Sequence, residues 1–159
     1  LSKILRELAD RIVEELHEIE QVVDRSQQSW QQFQQSDDNL YIDSAASNLH
    51  GFYNGLERLF EMIATMIDRS HPQGVRWHQE LLEQMAIEIE EIRPAVISQN
   101  SQAALDEYHR FRHTVRHLYT QQFDEERIHP LIEMIPDIFS QTRSELLAFA
   151  AFLSDQNLF

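Results

Sequence analysis

His109-Arg110-Phe111-Arg112-His113-Thr114-Val115-Arg116-His117-Leu118-Tyr119 holds three of the chain's 13 Lys+Arg and three of its 8 His, with no acid, in a protein of formal net charge -14. With Arg112 at zero and about 100° per residue, Arg116 falls near 40°, His109 near 60°, His113 near 100° and His117 near 140°. Phe111, Val115 and Leu118 gather on the other side, between about −60° and −120°. Tyr108 and Tyr119 sit at the seam between the two arcs. The spacing predicts an amphipathic helix with a cationic, imidazole-rich polar face. Exclusion of acid from that face implies something negative as its ligand.

The neighbouring sequence is helical in both directions. Ser101 is a candidate cap for this fourth helix, which should run to about residue 122. Asp124-Glu125-Glu126 breaks it, Pro130 suits the first turn of a fifth helix, and Pro136 should kink that helix near its start. Leu146, Leu147, Phe149, Phe152 and Leu153 then form a wide apolar face. Upstream, Leu5, Leu8, Ile12, Leu16, Ile19, Val23, Trp30 and Phe33 recur at bundle-helix spacings over residues 1–35. The glutamines around Trp30 read as the solvated face of that helix.

Ser36-Asp37-Asp38-Asn39 is a stop and restart with several possible N-caps. A second helix over about 40–69 should bury Tyr41, Ala45, Leu49, Phe52, Leu56, Leu59, Ile63, Met66 and Ile67. Gly51 and Gly55 inside it are spaced to let another helix approach, although each costs roughly 1 kcal/mol of helix propensity relative to Ala. His71-Pro72-Gln73-Gly74 is a turn. A third helix over about 75–92, with Leu81, Leu82, Met85, Ile89 and Ile92 apolar, should end before Pro94. The reading is an all-α antiparallel helical bundle of four long helices plus a shorter one, with residues 1–159 as a single domain.

Composition agrees with that class. Only 3 Gly and 4 Pro occur in 159 residues, and there is no Cys, so disulfides, thiolate metal sites and thiol nucleophiles are all excluded. The lack of Cys fits a reducing cytoplasm, which is the expected location. No run approaches the ~18 apolar residues of a membrane span, no signal-peptide pattern opens the chain, and the lack of an initiator Met suggests an N-terminus that is trimmed or not fully seen. A pI of 4.8 argues against a general nucleic-acid coat protein, but a small basic cleft in an acidic body can still focus field locally.

Three chemistries compete for the basic helix. A merely solvated face is a poor account of three arginines and three histidines without a carboxylate. Metal binding would use His109, His113 and His117 at i, i+4, i+8. The first and last are then about 12 Å apart along the axis, and Arg112 and Arg116 would repel a dication, so no metal is expected. Phosphate chemistry fits best: Arg is a permanent bidentate clamp for phosphate oxygens, and His takes or gives a proton near neutrality. RNA brings its own nucleophile, the 2′-OH. Glu14-x-x-His17 and Glu126-x-x-His129 match di-iron spacing, but Glu14 and His17 point off the apolar stripe and His129 abuts Pro130. His71, in its turn, reads as a surface residue.

The run from Arg112 to Tyr119, Arg then four residues, His, one residue and Tyr, resembles the signature of HEPN domains of the HepT-like toxin family. The resemblance covers most of the bundle and is weakest over the long first helix and its Gln-rich segment. It implies a metal-independent ribonuclease, the toxin of a two-gene module, leaving 2′,3′-cyclic phosphate ends, with transfer RNA as substrate. Arg112 and His117 would be the catalytic pair, with Arg116, His113 and His109 supporting the RNA phosphate. The implied partner is a minimal nucleotidyltransferase antitoxin that uses ATP to attach AMP to Tyr119, the toxin itself needing no cofactor. The family often has Asn or Asp directly after the Arg, where this chain has His113, so the division of labour between His113 and His117 stays open. The resemblance also implies a homodimer with Arg112, Arg116, His117 and Tyr119 of both chains in one cleft. The alternative is a non-catalytic helical module that binds a nucleotide or a partner's acidic surface and serves the nucleotidyltransferase as substrate or adaptor.

Overall fold

The stripe from Leu5 to Phe33 is buried along its length and belongs to one helix, α1 (Ser2–Ser36). The computed structural model describes residues 1–116 and 125–155, and of residues 113–116 the backbone alone. Further helices are α2 (Asn39–Ile63), continued by a π-helical turn (Ala64–Asp68), the short α3 (Trp77–Met85), α4 (Gln99–Arg116) and α5 (Glu125–Ser154). The described residues thus form an all-α bundle of four long helices and one short one.

A left-handed Asp37 ends α1, its N–H bonding Phe33 O, and the Asp38 carboxylate caps α2 by accepting from Leu40 N at 3.0 Å. With so short a link the two helices lie antiparallel, and Ser29 meets Ser44 at 2.8 Å. The two glycines of α2 differ in role. A Cβ on Gly55 would lie 2.8 Å from Ile19 Cγ1, whereas one on Gly51 would make an ordinary 3.5 Å contact with Val22. Only Gly55 is required by the approach of α1. Tyr41 and Met66, expected inside, are respectively 36% and 42% exposed, because they lie at the two ends of the stripe.

α5 runs antiparallel to α1, with Trp30 stacked on His129 at 5.2 Å and Gln27 Nε2 donating to Ile132 O at 2.8 Å. The second contact has a cause in the sequence. Pro136 has no N–H for the carbonyl four residues earlier, which is that of Ile132, and Gln27 supplies the missing donor. One of the glutamines is therefore structural, while Gln28, Gln31, Gln32, Gln34 and Gln35 are exposed as expected. Pro130 lies inside α5 rather than in its first turn, because Glu125 and Glu126 begin the helix earlier, where acidic side chains suit the N-terminal dipole.

α4 and α5 are antiparallel, joined by Tyr108 OH on Leu131 O at 2.7 Å and Ser98 N on Glu145 at 3.0 Å. Ser98 rather than Ser101 caps α4: its Oγ accepts from Ser101 N at 3.1 Å, and Ser101 is buried. By contrast α2 and α4 run parallel, since Phe52 meets Tyr108, Tyr53 meets His109 and Glu57 meets Arg112 in ascending order. Both hairpins are antiparallel as expected, and the segment between them carries the chain back.

In that segment α3 stops at Met85, well short of the expected 92. Arg93 explains the difference. It is 3% exposed and forms a two-pronged ion pair with Asp68 at 2.6 and 2.7 Å. It also donates to the carbonyls of Gln84, Ile87 and Pro94. The chain doubles back to deliver it, forming an isolated bridge between Ile89 and Arg93 and leaving Ile92 49% exposed.

Candidate functional site

The parallel contact of α2 and α4, with α3 across it, brings together side chains distant in sequence. Tyr53 and Glu57 are one turn apart on α2 and both are buried. Glu57 takes Arg112 Nη1 on Oε1 at 3.2 Å and His78 Nδ1 on Oε2 at 2.7 Å. The Tyr53 hydroxyl also hydrogen-bonds this carboxylate, and burial first, then the Glu57 charge, raises the phenol's pKa well above its ordinary value. Glu57 is thus a buried anion surrounded by donors, the condition under which a carboxylate is tolerated inside a bundle.

Arg112 is one-sixth exposed, at 16%. Nη1 is engaged by Glu57, while Nε is buried without a hydrogen-bond partner. Among the described residues no other acid pairs with it. Part of its charge is therefore answered locally, and among the described residues Nη2 has no hydrogen-bond partner. His78 Nδ1 lies 3.4 Å from Arg112 Nη1, and Trp77 stacks on the His78 ring with centroids 3.6 Å apart. The His78 ring is held by Glu57 at one edge and by Trp77 on one face.

His109 lies between Tyr53 and His78, at ring distances of 5.6 and 5.5 Å. Burial, then the neighbouring His78, lowers its pKa below the ordinary histidine value, against the opposing pull of Glu57 and Asp106. Neutral imidazole is the favoured form. Its place is on the side of α4 that faces α2 and α3. Arg110 is mostly exposed and pairs with Asp106 at 2.8 Å and with Glu107 at 3.6 Å. Tyr108, expected at the seam, is in the core at 1% exposure, because its hydroxyl finds the Leu131 carbonyl of α5.

The acid-free run is therefore balanced from outside itself, by Asp106 and Glu107 just before it and by Glu57 from α2. Of the residues expected to act, Arg112 and His109 are brought into one cluster. His113 and Arg116 belong to α4 by backbone, but their side chains lie outside the described residues, as do His117 and Tyr119 entirely. Beside the cluster, a cleft of about 280 Å³ between α3 and α4 is lined by Gln79, Glu83, Gln99, Gln102 and Asp106 among others. Among the described residues no three His, Asp or Glu side chains are grouped to hold a metal ion.

Glu57, Tyr53, His78 and Trp77 were not foreseen. Glu57 carried a signal all the same: a lone carboxylate on the same face as Tyr53 and Phe60, within the apolar run of α2, requires a buried donor. Nothing near His78 in the sequence marks it. Together the residues offer guanidinium N–H groups for an anion and an imidazole–carboxylate pair for proton transfer.

Glu14 and His17 are both exposed, as are Glu126 and His129, so neither di-iron spacing makes a buried site. His71 is half-buried, bonded to Glu61 at 3.2 Å and set beside Trp77. No curated protein and no solved structure matches the chain. The family model described as HepT-like protein matches residues 44–153, most of the chain and all of the cluster around Arg112, and the protein belongs to that HepT-like family.

Proposed function

We propose that the protein is the toxin of a two-gene module, a metal-independent endoribonuclease that acts as a homodimer and is silenced by a partner nucleotidyltransferase. The observation that carries this reading is the Arg112 guanidinium, held by buried Glu57 beside His78, at the first position of the Arg–His–Tyr run in a HepT-like chain. Uncommitted guanidinium N–H groups hold phosphate oxygens and the charge that develops on them. One imidazole takes the 2′-OH proton as the 2′-oxygen bonds to phosphorus. A second protonates the departing O5′ as the P–O5′ bond breaks, leaving a 2′,3′-cyclic phosphate and a 5′-hydroxyl.

Arg112 and His117 are the proposed catalytic pair, with Arg116, His113 and His109 supporting and transfer RNA as the substrate. One Arg–His pair separated by about 140° around a helix cannot surround a phosphate, whereas two copies related by a dyad can. AMP on the Tyr119 hydroxyl would add bulk and negative charge beside the arginines and exclude RNA. Neither the toxin nor its reaction needs a cofactor, ATP being the partner's substrate. Among the described residues no helix is long and apolar enough to cross a membrane, and the proposed site of action is the cytoplasm.

The test is cleavage of total RNA in EDTA by the wild type, Arg112→Ala and His117→Ala, with intact mass measured first and product ends analysed. Cleavage by the wild type alone with cyclic phosphate ends is expected. The Arg112–Glu57 ion pair favours one rival, a non-catalytic module whose guanidinium is structural. An unmodified wild type that binds RNA or the nucleotidyltransferase without turnover would establish that rival.

A further inference from the structure

Resting on the ribonuclease reading, we infer that His78 is the general base of the site, taking the 2′-OH proton on Nε2, and that Glu57 is its positioning residue. His78 Nδ1 is 2.7 Å from Glu57 Oε2. With a guanidinium on the other carboxylate oxygen, Glu57 accepts, so in the neutral ring Nδ1 carries the proton and Nε2 the lone pair, and the 3.4 Å approach of Arg112 Nη1 to Nδ1 is a contact rather than a hydrogen bond. Nε2 has no partner among the described residues, and the side chain is 20% exposed while Glu57 is 7% exposed. The imidazole is thus anchored at Nδ1, and among the described residues nothing engages Nε2.

The surroundings suit a base beside a phosphate clamp. Arg112 Nη1 lies 3.4 Å from the anchored nitrogen, so the guanidinium and the ring belong to one cluster. Trp77 covers one face of His78 and restricts its rotation. His109 is 5.5 Å away, burial favours its neutral form, and so it adds no charge that would oppose protonation of His78. Among the described residues the groups facing His78 are Glu57 from α2, Arg112 and His109 from α4, and Trp77 on its own helix. The carboxylate supports the imidazolium formed in the reaction, and the guanidinium opposes it until the phosphate's charge offsets the cation.

The proton balance is complete within one turnover. The 2′-oxygen loses its proton to His78 Nε2 and bonds to phosphorus, and the P–O5′ pair leaves with O5′. O5′ takes its proton from a second imidazole, for which His117 is the proposed donor. Proton exchange with water then resets both rings. A base on α3 also gives His117 a single task, that of the acid.

The test compares wild type, His78→Asn, His78→Ala, Glu57→Gln and Arg112→Ala as purified full chains freed of AMP, assayed on RNA from pH 5 to 9. Asn keeps a donor near the Nδ1 position for Glu57 but has nothing at Nε2. His78→Asn should melt close to the wild type, bind RNA normally, lose about 100-fold or more in kcat and lose the acidic limb of the pH profile. His78→Ala should regain part of its rate with added imidazole. Glu57→Gln, having lost the charge that supports the imidazolium, should move the acidic limb to lower pH. Wild-type rate and profile in His78→Asn, with Arg112→Ala inactive, would overturn the role of His78 and leave the ribonuclease standing. A slow His78→Asn that keeps the acidic limb, with no imidazole rescue of His78→Ala, would overturn it as merely structural. An AMP-free wild type without cleavage would end both readings.

Discussion

At the scale of the residue, charge is decided by what the fold places against each group. His109, on the wheel, is a member of a cationic arc. In the fold it is wedged against Tyr53 and His78, and burial favours its neutral form. The consequence for stability has a definite sign. As pH falls through about 6.5 the unfolded chain takes up this proton, while the native state resists until its own lower pKa. Stability from this group is therefore complete above the ordinary histidine value and lost between that value and the folded one. A ring titration by NMR should give His109 a midpoint below the ordinary value, and His109→Gln should remove part of the acid sensitivity of unfolding. A midpoint at that value would mean that His109 faces solvent, and one above it that Glu57 and Asp106 outweigh burial. Arg112 could be singled out from the sequence because its spacing to His117 and Tyr119 is local. Its partner could not, since Glu57 is 55 positions away and the pairing exists only once α2 and α4 lie side by side.

At the scale of the element, helix propensity and close approach compete at the two glycines of α2. Gly51 has room for a methyl group, so Gly51→Ala should stabilise the protein, by up to about 1 kcal/mol, in urea unfolding. Gly55→Ala should do the reverse despite the same gain in propensity. Its Cβ would fall 2.8 Å from Ile19 Cγ1, and Ile19 is fully packed at 2% exposure. Overpacking of this kind costs about 1–3 kcal/mol. Equal effects of the two substitutions would mean that α1 does not approach α2 as closely as it does here. Periodicity made the long helices legible because each has one continuous apolar stripe. It failed on α3, where Ile89 and Ile92 continue the helical spacing but Arg93 has to reach Asp68, a demand no local pattern expresses. It also passed over Gln27, whose role depends on a proline in another helix.

At the scale of the whole molecule, two antiparallel hairpins are set so that α2 and α4 run parallel, and everything in the candidate site depends on that setting. The returning segment makes it possible, and one buried ion pair fastens it. Arg93 and Asp68 have side-chain exposures of 0% and 1%. Removing one partner leaves the other charge buried without an opposite, which costs about 3–5 kcal/mol. Asp68→Ala should lower stability by that order in urea. It should also disturb the site from a distance, because Asp68 precedes and Arg93 follows the helix that carries Trp77 and His78. Asp68→Asn keeps one acceptor for the guanidinium but turns the other oxygen into a donor and loses the charge, and should fall between wild type and Asp68→Ala. A double variant, Asp68→Leu with Arg93→Met, removes both charges and should regain much of the stability. It should not regain the placement of His78, since apolar side chains cannot collect the carbonyls of Gln84, Ile87 and Pro94. If the double variant recovers both stability and RNA cleavage, the ion pair merely fills space. If it recovers stability alone, the pair is what sets α3 against α2 and α4 in the geometry that joins His78 to Glu57 and Arg112.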